Sequence, residues 1–246
     1  MKLYVCGSSS KGNCYIIKSQ AGMLILDCGT DFREVQKQLN FSFKNLVGVL
    51  VTHEHKDHSK YIINFAEAGI NIYSSQGTFD SLSLKGHRFK KIKALEQFVL
   101  GDFLILPFGT QHDAAEPLGF VVYDKISKEK LLYATDTYYI RYRFKKLNYL
   151  LLECNYIADI LKNNKLNGNI HKTLYQRLLT SHFSLENVLE FLKVNDLTYM
   201  RNIVLCHLSD KNSDENIMIN EIAKLTGITP IIADKNMDIE LNLFPF

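Results

Sequence analysis

The stretch VLVTHEHKDHS, residues 49–59, sets an apolar run of strand length against His53, Glu54, His55, Lys56, Asp57 and His58, so three of the chain's eight histidines fall within six positions. Two imidazoles two residues apart on a turn after a strand can aim at one point, and the following carboxylate and imidazole at a neighbouring point. Packing does not ask for such a density of ligand-type side chains. Divalent metal binding does. A purely structural ion closed in by four protein ligands is disfavoured, because the stretch lacks the thiolates that structural zinc usually takes. Other polar residues sit where strand-like runs end: Asp27 after MLIL, Asp136 after LLYAT, Glu153 after YLLL and His207 after NIVLC. Open sheets bring strand ends to one rim, so these distant residues are expected to converge there.

Strands must supply those ends. Apolar runs of strand length recur as CYIIK, MLILDCG, LVGVLVT, GFVVYD, KLLYATD, YLLLEC, NIVLCHL and ITPIIAD. Helix-like segments lie at 31–39, 59–68, 184–193 and 213–225, with Ser184 and Ser213 as expected N-caps. Early strands follow one another and later ones alternate with helices, which predicts an α/β fold of sheets packed together and covered by helices. The sequence has no linker, low-complexity tract or repeat, and a single domain over residues 1–246 is expected.

Composition narrows the partners. No N-terminal apolar block resembles a signal peptide, and no apolar run approaches the roughly 20 residues of a membrane span. Five cysteines (Cys6, Cys14, Cys28, Cys154 and Cys206) show no CxxC spacing and fit reduced core thiols in a cytoplasm. A net charge of +3 is too slight to identify a partner. Two segments, KGHRFKKIK (85–93) and YYIRYRFKKLNY (138–149), nevertheless place cations among aromatics, a mix that can grip phosphates and stack on bases. A solvated face is their plainer reading.

THEHKDHS resembles the signature of the metallo-β-lactamase superfamily, and its later landmarks follow in order: QHDAAEPLGF with His112, YATDT with Asp136 and LCHLSD with His207. The resemblance implies an αβ/βα sandwich, a four-layer α/β fold, with a two-metal centre at one rim. Carried over residue by residue, it implies that His53, His55 and His112 hold one ion and Asp57, His58 and His207 the other. Asp136 would bridge them, and Asp57 also enters the catalytic set. The ions, zinc or manganese, would lie about 3.5–4 Å apart and share a hydroxide nucleophile. Glu54 and Lys56 fall at variable positions of the signature and should point away. Asp27 and Thr52 are expected either to orient a ligating imidazole or simply to cap a strand end.

Finer motifs resemble the YycJ (WalJ) type of bacterial and phage members, which implies a DNA exonuclease. GSSSKGNCY resembles the GSGSxGN opening, whose Ser/Gly turn exposes N–H groups to a phosphate, with Ser8, Ser10 and Asn13 as expected substrate contacts. CHLSDKNSDE resembles SHLSxxNN and adds Ser209. TSHFSLENVLEFL resembles GHxSNExA, although Ser181 replaces the glycine and Leu185 the asparagine. His182 would then stand outside the metal ligands and bind the scissile phosphate or protonate the leaving oxygen. LECNY resembles ESNHD with Tyr156 in place of histidine, while Glu153 and Asn155 line the rim or pack the strand end. His87 and His171 match no motif and are expected on the surface. The expected protein is a metal-dependent phosphodiesterase acting on DNA or another nucleotide phosphodiester. Cyclic-nucleotide hydrolysis of the phage anti-Pycsar kind, thioester or lactone hydrolysis, and a noncatalytic DNA-binding module are the alternatives. Homodimerisation is left open.

Overall fold

The computed structural model describes residues 1–241, so residues 242–246 of the expected domain lie outside the described residues. The chain forms two compact units. Unit 1 holds Met1–Gly109, Ala114–Lys130 and the chain from Asp234 on, and unit 2 holds Thr110–Asp113 and Leu131–Ala233. In chain order run β1 (Lys2–Ser9), β2 (Gly12–Ser19), β3 (Gly22–Leu26), α1 (Phe32–Gln38), β4 (Leu46–Leu50), α2 (Lys56–Ser59), α3 (Ile62–Glu67), β5 (Ile72–Ser74), α4 (Gln76–Ser81), β6 (Phe89–Lys91), β7 (Phe98–Leu100), β8 (Phe103–Gly109) and β9 (Leu118–Asp124). They are followed by β10 (Lys130–Ala134), β11 (Tyr149–Glu153), α5 (Ala158–Leu166), α6 (Lys172–Ser181), α7 (Leu185–Val194), β12 (Asn202–Cys206), α8 (Glu215–Thr226), β13 (Ile231–Ile232) and β14 (Asp238–Glu240).

Unit 1 contains a seven-stranded sheet in the order β14-β1-β2-β3-β4-β5-β6. It is antiparallel from β14 to β3 and parallel from β3 to β6. Its core gathers Ile16, Ile25, Val49 and Ile72 from the strands and Val51 just past β4 with Val35, Ile62, Phe65 and Phe79 from helices α1, α3 and α4. Three of the cysteines, Cys6, Cys14 and Cys28, are part of that core. An antiparallel ribbon, β7-β8-β9, completes the unit.

In unit 2, β10, β11, β12 and β13 form a parallel array. All five residues of β11 are buried, as a central parallel strand demands. Helix α7 buries Leu185, Val188, Phe191 and Leu192, a stripe at helical spacing. Its cap is the expected Ser184, whose hydroxyl accepts from Asn187 N at 3.2 Å. None of the helices is long and apolar enough to cross a membrane among the described residues.

Two expectations need correction. Of the helix expected over 59–68, Ser59 closes the short α2 and Ile62–Glu67 form α3, the two separated by Lys60 and by Tyr61, whose amide bonds Cys28 O at 3.0 Å instead of continuing a helical ladder. Helix α8 is capped by Asp214, which accepts from Ile217 N at 3.0 Å, and not by Ser213, whose hydroxyl donates to Ser209 O at 2.6 Å.

Gly29 shows how the sheet admits the histidine-bearing turn. Gly29 N bonds Asn13 O at 2.9 Å and Cys28 N bonds His58 O at 2.8 Å. A Cβ on Gly29 would lie 1.8 Å from Asp57 O, which is backbone and cannot swing aside. Gly29→Ala should therefore destabilise the chain by at least about 1–3 kcal/mol, the usual range for overpacking. Thermal and urea unfolding check this, and a midpoint equal to the parent's would show that the turn yields freely.

Candidate functional site

In unit 1 the ligand-type residues stand where β4 gives way to α2. Val51, Thr52 and His53 continue the strand as buried residues. His55 then caps α2, its carbonyl accepting from His58 N and Ser59 N at 2.9 Å each, while the Ser59 hydroxyl closes on Glu54 O at 2.7 Å. This turn brings the ring of His53 to 4.7 Å from that of His55 and 4.3 Å from that of His58. Glu54 and Lys56 do turn away: Glu54 accepts from Ala115 N at 2.8 Å and Lys56 is exposed.

Beneath the rings lies Asp27, fully buried at the end of β3 with a left-handed φ of 58°. Its Oδ1 accepts from Thr52 N at 2.8 Å and from the Thr52 hydroxyl at 3.0 Å, and its Oδ2 accepts from His58 Nδ1 at 2.7 Å. Having given its proton to Asp27, the Thr52 hydroxyl accepts from His53 Nδ1 at 2.9 Å. Both imidazoles thus carry their proton on Nδ1 and keep the Nε2 lone pair for a metal. Asp57 Oδ2 stands 3.3 Å from His58 Nε2. Asn13 is buried, with its amide nitrogen 3.2 Å from His58 Nε2 and 3.0 Å from Ser9 O, so it ties the β1–β2 hairpin to the histidine turn. Ser8 accepts from the Tyr15 hydroxyl at 3.0 Å, and Ser10 is exposed at the hairpin tip.

Unit 2 brings together His112, Asp136, Glu153, His182 and His207. Asp136 and His207 follow β10 and β12 in left-handed backbone, with φ of 48° and 55°. Such values are uncommon for residues other than glycine, and aspartate and histidine are among the side chains that tolerate them best. His112 donates from Nδ1 to Ser181 O at 2.9 Å, which directs its Nε2 toward Asp136 Oδ2 at 3.5 Å. Burial lowers the pKa of His112 and favours the neutral ring that a metal needs, although the Asp136 charge works the other way.

Glu153 is fully buried and is the hub of this set. Its Oε2 accepts from Thr137 N and Phe183 N at 3.1 Å each. Its Oε1 faces His182 Nδ1 at 2.6 Å and His207 Nδ1 at 3.1 Å, whose rings stack at 5.5 Å. Burial opposes charge on both Glu153 and His182, but their mutual attraction outweighs it: the carboxyl is held below its ordinary pKa and the imidazole above. Ligand atoms of Asp136, Glu153, His182 and His207 all lie within 4.8 Å of one another.

Several residues have roles that the sequence motifs did not reveal. Ser181, the departure from the family glycine, supplies the carbonyl for His112 and donates its hydroxyl to Asp113 at 3.1 Å. Asn155 donates to His207 O at 2.8 Å, and Ser209 N donates to Asn155 O at 2.9 Å, holding the turn after β12. The Ser209 hydroxyl accepts from Asn212 at 3.1 Å. Tyr156 is buried, and burial pushes its phenol to about 12, a neutral packed ring rather than a ligand. For Glu153 the signals were its place at the end of an apolar strand and the LECNY resemblance, neither of which pointed to its bonds with His182 and His207. His87 and His171 are exposed, and all five cysteines are buried without a disulfide among the described residues.

A family model described as Beta-lactamase superfamily domain matches residues 23–207. The chain belongs to the metallo-β-lactamase superfamily. Exodeoxyribonuclease YycJ of Bacillus anthracis is 25% identical over 96% of this chain and 90% of its own length. Exodeoxyribonuclease WalJ of Streptococcus pneumoniae serotype 2 is 26% identical over 99% of this chain and 93% of its own. The metallo-β-lactamase fold protein YhfI of Bacillus subtilis matches with a TM-score of 0.72 at 17% identity, over 97% of this chain and 99% of that one, which shows a shared fold. As a metallo-β-lactamase-fold hydrolase the chain has donor sets that suit a divalent ion, since imidazole nitrogens and carboxylate oxygens are what zinc and manganese take.

Asp27 offers a test of these donor sets. In Asp27→Asn the amide would donate to His58 Nδ1, forcing the ring's proton onto Nε2 and blocking it as a ligand. Metal affinity should fall about 10- to 100-fold, the usual effect of losing such a supporting partner. Equilibrium dialysis against zinc measures it, and parental affinity would reduce Asp27 to a strand cap.

Proposed function

We propose that this chain is a metal-dependent phosphodiesterase acting on nucleic acid, and specifically a DNA exonuclease of the YycJ type working in the cytoplasm. The observation that carries the reading is His182, held by a buried carboxylate through Nδ1 and raised in pKa, beside Asp136 and His207. Thioester hydrolysis releases a thiolate that needs little help, whereas an alkoxide leaving from phosphorus benefits from a delivered proton. The similarity to two exodeoxyribonucleases over nearly the whole chain supports the same choice.

In this reading His53, His55 and His112 hold one divalent ion, Asp57, His58 and His207 the second, and Asp136 serves both. Ions so held, zinc or manganese, supply Lewis acidity and a nucleophile drawn from water near neutral pH. The chain's own residues do the rest. Asp27, Thr52 and Ser181 fix the tautomers of His58, His53 and His112. Glu153 orients His182 so that its Nε2 proton passes to the leaving oxygen. Ser8, Ser10 and Ser209 contact the substrate phosphate, and Asn13 acts through His58.

Purified protein supplied with zinc or manganese should release mononucleotides from the ends of DNA. A panel of single-stranded DNA, duplex DNA, RNA and cyclic mononucleotides decides the matter, and turnover of cyclic nucleotides alone would overturn the exonuclease reading. Asp57→Ala should leave about one of the two ions in place, read by metal analysis; equal loss from both sites would sink the ligand assignment. His182→Ala should retain its metal yet lose about 10²–10⁴ in rate on DNA. With a p-nitrophenyl ester, whose leaving group needs little protonation, the loss should be much smaller. Loss of metal from that variant would make His182 a ligand instead.

A further inference from the structure

The two cationic clusters of the sequence have different fates in the fold. Lys85–Lys93 surrounds β6, the edge strand of the unit 1 sheet, where exposed Lys90 and Lys91 are the usual guard against pairing with another chain. The segment Tyr138–Lys146 has no such explanation. It follows the left-handed turn at Asp136 and belongs to no helix or strand.

Its back is fastened to unit 2. Asn187 of α7 donates to Tyr138 O at 2.9 Å, the Thr137 hydroxyl donates to Tyr139 O at 2.8 Å, and Phe144 N donates to Asn195 Oδ1 at 2.7 Å. The Phe144 ring lies 6.4 Å from that of Phe191. Its front alternates: Ile140, Tyr142 and Phe144 are buried or half-buried, while Arg141, Arg143 and Lys145 are exposed, followed by exposed Lys146. Alternation of this kind belongs to extended chain, in which residues on one face recur about every 6.6 Å. Tyr138 and Tyr139 are 36% and 56% exposed, an arrangement that leaves large rings in water with no core to serve. Arg141, Arg143 and Lys146 enter no ion pair among the described residues.

We propose that Tyr138–Lys146 is a track for single-stranded nucleic acid, with the exposed cations meeting successive phosphates and Tyr138 and Tyr139 stacking on unpaired bases. The inference rests on the phosphodiesterase reading above and names its substrate more closely. An extended single strand presents phosphates at a spacing comparable to that of the cation row, together with open base faces. A duplex offers the phosphates but hides those faces, which leaves the tyrosines without a role.

The test measures affinity of the metal-loaded chain for an oligothymidylate with cleavage-resistant phosphorothioate linkages, and for a duplex of equal length, across a salt series. Joint replacement Arg141→Ala, Arg143→Ala, Lys145→Ala and Lys146→Ala should weaken single-strand binding and flatten the salt dependence by about 0.7 log unit for each phosphate no longer neutralised. Tyr138→Ala with Tyr139→Ala should weaken single-strand binding roughly five- to a hundredfold per stacked base, with the salt slope kept and duplex binding little changed. Circular dichroism melts confirm that each variant is folded, and Tyr139→Ala alone serves if the double variant is not. Parental affinity and slope in the charge variant would overturn the track. Equal losses on duplex and single strand in the tyrosine variant would overturn its preference for single strands. Hydrolysis of bis(p-nitrophenyl) phosphate by the parent decides the underlying reading separately, because the binding results stand whether or not that diester is cleaved.

Discussion

A carboxylate taken out of water without partners costs several kcal/mol, and each unit of this protein buries one directly against its imidazoles. Asp27 and Glu153 solve the problem alike. One oxygen accepts backbone N–H groups, from Thr52 in unit 1 and from Thr137 and Phe183 in unit 2. The other faces imidazole Nδ1, from His58 in unit 1 and from His182 and His207 in unit 2. The amides anchor each carboxylate, and the anchored carboxylate in turn decides which ring nitrogen donates to it. The orientations of the His58, His182 and His207 rings follow from those two buried carboxylates, while His53 and His112 take theirs from the Thr52 hydroxyl and the Ser181 carbonyl.

The backbone imposes a matching constraint. Asp27, Asp136 and His207 leave their strands in left-handed conformation. A strand that simply continued would send alternate side chains to opposite faces of its sheet. Turning left-handed ends the ladder abruptly and aims a single side chain off the strand's end. The conformation is tolerated because surrounding bonds over-determine it: Asp27 N is fixed by Leu50 O at 2.8 Å, and Asn155 holds the His207 carbonyl.

How much of this could be read beforehand depends on the distance over which the information is spread. His53, His55, Asp57 and His58 declare themselves because they are contiguous, and the long apolar strands do so because burial on both faces makes them uniformly hydrophobic. Helices α5 and α6 were not legible: they bury only Leu161 and Ser181 respectively, so no apolar stripe marks them. Strand β8 was masked by Pro107, which is accommodated because it lies beyond Phe103–Ile105, the stretch that β7 pairs. Ser213 and Asp214 are both good caps, and only the three-dimensional course of the chain shows which side chain reaches the Ile217 amide. The supporting bonds were the least visible, since Ser181 and His112 are 69 residues apart and their link runs through a carbonyl that carries no sequence signature.

Thr137 shows how closely these features are joined within unit 2. Its amide donates to Glu153, its hydroxyl donates to Tyr139 O, and that same hydroxyl accepts from Gln111 N at 2.9 Å, one residue before His112. Tyr138 N returns a bond to Gln111 O at 3.2 Å. One small side chain therefore sets the His112 segment, the carboxylate that holds His182, and the start of the exposed cationic segment in a fixed relation. A valine of the same shape would keep the β-branch but lose both hydroxyl bonds, leaving Gln111 N to seek another acceptor. The chemistry-bearing residues and the surface that follows them are thus positioned by one hydrogen-bonded junction, and a shift of the cationic segment cannot occur without disturbing the ring of His112 or the amide on Glu153.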